Sequence, residues 1–284
     1  MQAPEGKTFV FIIGAQKAGT TFLAASLARL PDICLCEPKE PQFFTTHFGR
    51  GFDYYLGLFP DPAARIWIDA STTYSFLRPR ADLDTPDAPG LPDPVPARLK
   101  AFAPDCKIIY VLRDPVDRAV SAVVHADRFK GRLGTSLSLM DWLQRDPMAG
   151  LPSRYSEQLA RYLEVFERNQ ILVLDFKDLT RNPVETVNRC ARFIGVEPVF
   201  GAQDLPTEKK HESFRLPGPL MPLVRLTSRE TRARLKGWLP RALLRKVMLP
   251  ASAGKIEVTD RPEADAAFAA ERDFMAREFT RNPL

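Results

Sequence analysis

Residues 9–21 constrain this chain more than any other stretch. Phe9-Val10-Phe11-Ile12-Ile13 is a short apolar run that ends at Gly14, the pattern of a buried strand. Gly14-Ala15-Gln16-Lys17-Ala18-Gly19-Thr20-Thr21 follows, and from Thr20 onward Leu23, Leu27 and Leu30 share one helical face. A strand, a glycine loop and a helix in succession turn backbone amides inward and aim a helix N-terminus at the loop, an arrangement that favours an anion. A nucleoside-triphosphate loop reads G-x-x-x-x-G-K-[ST]. Here the glycine spacing is kept, but the lysine stands mid-loop at Lys17 and Thr20 takes its usual place. Nor does the strongest strand, Lys107 to Leu112, end in a metal-binding acid, because Arg113 follows it. Such a site suits a nucleotide used without a metal, and no metal ligand is expected.

The rest of the chain repeats the strand–helix rhythm, which predicts an α/β fold of P-loop type, with a mostly parallel central sheet flanked by helices. Ile33 to Cys36, Arg65 to Asp69 and Ile171 to Leu174 read as further strands. Asp114-Pro115 reads as a helix cap and first turn, and Asn182 to Glu185 has capping-box spacing. Tyr155, Leu159, Tyr162 and Phe166 form one helical stripe. Two segments break the rhythm. Residues 83–98 are proline-rich, with Pro86, Pro89, Pro92, Pro94 and Pro96, and read as loop or extended chain. Residues 215–255 carry ten Lys/Arg against one acid, Glu230, with apolar residues at near-helical spacing, and read as a basic amphipathic helical region. At 284 residues, 45% hydrophobic and 26% charged, one domain over 1–284 is expected, and whole-chain disorder or coiled coil is excluded. Four scattered cysteines fit neither a disulfide framework nor a zinc site. With no run long enough to span a membrane, a cytoplasmic protein is expected.

Three ordered segments together resemble the sulfotransferases that use 3′-phosphoadenosine 5′-phosphosulfate (PAPS), closest to the heparan sulfate sulfotransferase-like branch and its bacterial relatives. Gly14 to Thr21 is similar to that family's 5′-phosphosulfate loop. Arg113-Asp114-Pro115-Val116-Asp117-Arg118-Ala119-Val120-Ser121 is similar to its 3′-phosphate motif, with His125 one turn later. Glu40-Pro41-Gln42-Phe43-Phe44 is similar to the segment that carries the candidate base. The resemblance covers about Thr8 to Glu197. It implies transfer of a sulfuryl group from PAPS to a hydroxyl or amine of a saccharide or other small molecule, leaving 3′,5′-adenosine bisphosphate (PAP). Lys17 would stabilise charge on the bridging oxygen. Gln16, Lys17, Ala18, Gly19, Thr20 and Thr21 would hold the phosphosulfate, and Arg113 with Ser121 would grip the 3′-phosphate. Glu40 would accept the acceptor's proton, desolvated by Pro41, Phe43 and Phe44. Lys39, His47 and His125 would lie on the acceptor side, with His47 a rival base and Lys39 orienting the acceptor or Glu40.

The chain departs from that family at Ala70, where heparan-type members carry lysine. Lys209 to Arg215 is only an imperfect counterpart of their C-terminal nucleotide loop. Arg118 reads equally as an ion-pair residue. The basic region has three readings: steering an anionic glycan, lying on a membrane surface, or a solvated helical face, the last being favoured. No nucleic-acid partner is expected, and the oligomeric state stays open. Two other functions compete: a magnesium-dependent small-molecule kinase and a non-catalytic polyanion binder.

Overall fold

The apolar runs become strands, in a computed structural model that describes residues 2–76, 94–127, 136–146, 149–197, 201–206, 214–215, 249–250 and 256–281. Thr8–Gly14 (β1), Ile33–Leu35 (β2), Ile66–Asp69 (β3), Lys107–Leu112 (β4) and Ile171–Asp175 (β6) form one sheet in the order β2-β3-β1-β4-β6, while the short Ser136–Leu137 (β5) pairs parallel with Glu257–Val258 outside it. Every pairing in the main sheet is parallel. Strands buried on both faces read as continuous hydrophobic runs rather than alternations, and Val10, Phe11, Ile12 and Ile13 are all fully buried. The winding reverses at β1, with β2 and β3 to one side and β4 and β6 to the other. That places the binding crevice beyond its carboxyl end.

Helices flank the sheet: Thr20–Leu27 (α1), Phe52–Leu56 (α2), Pro94–Phe102 (α3), Pro115–Asp127 (α4), Leu139–Arg145 (α5), Tyr155–Leu163 (α6), Phe176–Arg181 (α7) and Pro183–Phe193 (α8). Leu23 and Leu27 of α1 are buried, as are Tyr155, Leu159, Tyr162 and Phe166 of the α6 stripe. Alternate β1 residues Phe9 and Phe11 share a face, on which Phe9 meets Phe102 of α3 and Phe11 meets Phe44. A second apolar cluster joins Val116, Ala119 and Val123 of α4 to Leu139 of α5 and to Ala264 and Phe268. Ala264 lies in the C-terminal helix Arg261–Ala267 (α9), and Phe268 joins it to the last helix, Ala269–Arg281 (α10).

Several expectations need correction. The proline-rich loop does not extend to residue 98: α3 starts at Pro94 and buries Val95, Leu99 and Phe102. Pro94 and Pro96 fall in its first turn, where a helix needs no amide hydrogen from them. Residues 83–93 lie outside the described residues. Helix α8 forms after Asn182, but that side chain makes no cap bond, and Glu185 pairs instead with Arg192 at 2.5 Å. Asp114 does cap α4, accepting from the Asp117 amide at 3.0 Å. Among the described residues Arg118 meets no carboxylate: fully buried, it donates to Ser153 Oγ at 2.5 Å and to the Ala149 carbonyl. From the basic region and the counterpart loop before it, only short pieces are described. Phe214–Arg215 (β7) pairs antiparallel with Leu249–Pro250 (β8), while residues 207–213, 216–248 and 251–255 lie outside the described residues.

Candidate active site

Between β1 and α1 the loop is tied to the neighbouring strand by the Ala15 amide, which donates to Val111 O at 2.7 Å. Ala18 is buried and turns its amide back to Ala15 O at 3.0 Å, so its contribution is the shape of the turn. Gly19 is left-handed at φ 81, and a β-carbon there would lie 3.0 Å from Leu179 and 3.1 Å from Phe176. Only glycine meets both demands. Lys17 is also left-handed, at φ 71, a conformation that costs a non-glycine residue roughly 1–2 kcal/mol. The first-turn amides of α1 have no partner within the helix, and the half-buried Gln16 and Thr21 and the buried Thr20 stand beside them.

Three side chains from distant segments make polar contacts with this loop. Arg113, at the end of β4, donates to Lys17 O at 2.9 Å and lies 5.0 Å over the Phe176 ring. Burial draws its pKa down, opposed by Asp117, Tyr155 and Asp114, and the guanidinium stays charged. Its own carbonyl accepts from Tyr155 Oη at 2.7 Å. On α4, His125 Nδ1 stands 3.3 Å from Lys17 Nζ. Ser121 lies one turn earlier on the same face, half-buried. From the other side, Lys39 Nζ reaches Thr20 Oγ1 at 3.4 Å, Thr21 Oγ1 at 3.1 Å and Glu40 Oε1 at 2.9 Å. Thr72 donates to the other Glu40 oxygen at 3.2 Å.

Glu40 is thus held differently from expectation. Phe43 and Phe44 are fully buried against Tyr55, their rings 4.5 and 5.3 Å from its centroid, while the Glu40 side chain keeps 35% exposure. Its setting is made by Lys39 and Thr72, not by aromatic walls. His47 is half-buried and its backbone closes a turn on Gln42 O. Its ring joins none of the hydrogen bonds that link Lys39, Glu40 and Thr72.

The segment that carries Glu40 is anchored from β3, by residues whose part was not legible in the sequence. Asp69 is fully buried and accepts from Tyr74 Oη at 2.7 Å, Tyr55 Oη at 3.1 Å, Ser71 Oγ at 2.7 Å and Ser71 N at 3.1 Å. Ser71 Oγ in turn accepts the Gln42 amide at 3.0 Å, and Tyr74 Oη the Phe44 amide at 3.3 Å. An acid at a strand end followed by Ser, Thr and Tyr was the available signal, but its partners are 29 and 30 residues away.

Burial pushes the Asp69 carboxyl up to about 6, against its four hydrogen-bond donors. An acid whose folded pKa exceeds its unfolded value keeps its proton longer in the native state, so its contribution falls as pH rises from about 4 to about 6 and is level above. The difference amounts to about 3 kcal/mol. Urea titrations at pH 4 and pH 7 should therefore show a pH-dependent part in the native protein that Asp69→Asn lacks. Parallel pH dependence in both proteins would contradict it.

A parallel sheet wound about β1, with a glycine loop opening a helix at its carboxyl edge, defines a P-loop-type nucleotide-binding protein. Within that class the profile of the sulfotransferase domain matches residues 7–215, and the chain belongs to the sulfotransferase family. It is 28% identical over 220 residues to the mouse bifunctional heparan sulfate N-deacetylase/N-sulfotransferase 3, covering 72% of this chain and 24% of that protein. To mouse bifunctional heparan sulfate N-deacetylase/N-sulfotransferase 1 it is 29% identical over 204 residues, 66% of this chain and 22% of that one. The chain therefore spans about a quarter of the length of these relatives. A crystal structure of a sulfotransferase from Alicyclobacillus acidocaldarius is similar to it, with a TM-score of 0.52 and 29% identity over 72% of this chain and 87% of that one. All four cysteines are free and buried, and among the described residues no helix is long and apolar enough to cross a membrane.

Proposed function

We propose that this chain transfers a sulfuryl group from PAPS to a hydroxyl or amine of a saccharide or other small-molecule acceptor. The observation that carries the reading is Lys39, whose ammonium spans 2.9 Å to Glu40 and 3.1 Å to the Thr21 hydroxyl of the loop. It sets a carboxylate beside a phosphate-type loop, with Lys17 on the loop itself. Glu40 takes the acceptor's proton as the acceptor oxygen or nitrogen bonds to sulfur. The bond from sulfur to the bridging phosphate oxygen breaks, and the electron pair leaves on PAP. Lys17 and the α1 amides meet that developing charge, while Arg113 and Ser121 hold the 3′-phosphate, Arg113 with its planar fork. His125 orients Lys17. Arg113 stands where a kinase's strand would end in a magnesium-binding acid, so no metal is assigned a part.

The four unpaired cysteines support placement in a reducing compartment, and we place the protein in the cytoplasm. The activity is assigned to one domain over 1–284, since α10 packs on α6 and β6 of the same sheet. The test is transfer of labelled sulfuryl from PAPS to amino- and hydroxyl-bearing saccharides and small alcohols. Labelled product with matching PAP release is expected. Phosphoryl transfer from ATP with magnesium, and none of sulfuryl, would overturn the reading.

A further inference from the structure

Arg113 carries the 3′-phosphate role in the reading above, yet two carboxylates stand close to it in sequence. Asp114 adjoins it, Asp117 is one turn on, and both act electrostatically on its guanidinium. A carboxylate with no other partner would draw Arg113 to itself and oppose a phosphate there. Both have cationic partners, and those come from outside the segment that matches the sulfotransferase profile.

Arg272 of α10 grips Asp114 with two nitrogens, Nε at 2.7 Å from Oδ2 and Nη2 at 3.4 Å from Oδ1. Arg261 of α9 takes Asp117 at 2.8 Å and stands 3.7 Å from Asp114. Asp265 holds both arginines in place, at 2.8 Å from Arg261 Nε and 2.6 Å from Arg272 Nη2. Glu271 adds a second hold: it accepts from Ser156 N at 2.9 Å and Ser156 Oγ at 2.7 Å. Ser156 follows Tyr155, whose hydroxyl fixes the Arg113 carbonyl.

Resting on the sulfotransferase reading, we infer that Arg272 is a positioning residue for the nucleotide site. By occupying Asp114 it keeps the Arg113 guanidinium available to the 3′-phosphate. Recognition of that phosphate then depends on helices α9 and α10, beyond residue 215. A lysine at 272 keeps the charge but cannot form the two-nitrogen grip.

The test compares calorimetric binding of PAP with that of adenosine 5′-phosphate, which differs from it only in lacking the 3′-phosphate. In the native protein PAP is expected to bind more tightly. Arg272→Ala should cut that preference about tenfold and Arg272→Lys about threefold, with adenosine 5′-phosphate affinity within twofold of native. Asp114→Asn in the Arg272→Ala background should restore it, because asparagine caps a helix as well as aspartate but does not compete for Arg113. A purely structural brace would lower the melting temperature without moving the preference. If the native protein prefers PAP and the Arg272 variants keep the full preference, or Asp114→Asn fails to restore it, the inference is overturned. If the native protein shows no preference, the 3′-phosphate reading itself fails.

Discussion

Replacing Lys17 by alanine should lower kcat by about 10²–10³-fold, the range for loss of one preorganised charge-stabilising donor, while the melting temperature stays within about 1 °C. The two halves of that result have separate causes. Lys17 Nζ is bonded to His125 Nδ1 at 3.3 Å and is aimed by a left-handed backbone that Arg113 pins through Lys17 O at 2.9 Å. Truncation removes a charge from the place where charge develops. The half-buried side chain contributes little to the core, and alanine inherits the same backbone conformation, so stability hardly changes. Arginine at 17 should recover part of the rate, since the charge returns with a different reach. PAP affinity should fall much less than kcat, because the lysine's contribution is greatest in the transition state. A kcat within threefold of native in Lys17→Ala would remove it from the mechanism.

Glu40→Gln should lower kcat by about 10²–10⁴-fold, the usual worth of a positioned base. The amide is close to isosteric and can still accept from Lys39 while its nitrogen faces Thr72, so the local hydrogen bonds at 2.9 and 3.2 Å have replacements. What it cannot do is take a proton. PAP binding should therefore stay within about twofold, which separates this variant from one that has lost the loop. His47→Asn is the comparison. Its ring lies outside the Lys39–Glu40–Thr72 set, and the variant should keep more than half the native rate. If His47→Asn falls as far as Glu40→Gln was expected to, the base has been assigned to the wrong residue.

The parts of this molecule that were legible in sequence are those fixed by neighbours along the chain. The β1 run, the loop and α1 follow one another within 21 residues, and each carries a local signal: an apolar run, two glycines, leucines at helical spacing. The same holds for β4 into Asp114 and α4. Pro94 and Pro96 misled because proline excludes only a helix interior, and a first turn accepts it. The order β2-β3-β1 was not readable, since no residue in β3 records that it inserts between its two predecessors. The site was legible as three separate motifs and illegible as an assembly. Lys39 was expected on the acceptor side, orienting the acceptor or Glu40, and its ammonium also reaches back 18 residues to Thr21. Asp69 and Tyr155 read as strand end and helical stripe, and they turn out to anchor the Glu40 segment and the Arg113 carbonyl, while Phe176 carried no signal and lies under the Arg113 side chain. Helices α9 and α10 lie beyond the stretch that the three sequence motifs cover. Arg261 and Arg272 acquire their meaning only beside Asp114 and Asp117, more than 140 residues away.

Calorimetric titration with PAP and with ATP, each in the presence and absence of magnesium, tests the central claim most directly. The sulfotransferase assignment predicts tight PAP binding that magnesium does not change and that Arg113→Ala abolishes, with ATP weaker under both conditions. Preference for ATP in magnesium, or PAP binding that survives loss of Arg113, would contradict it.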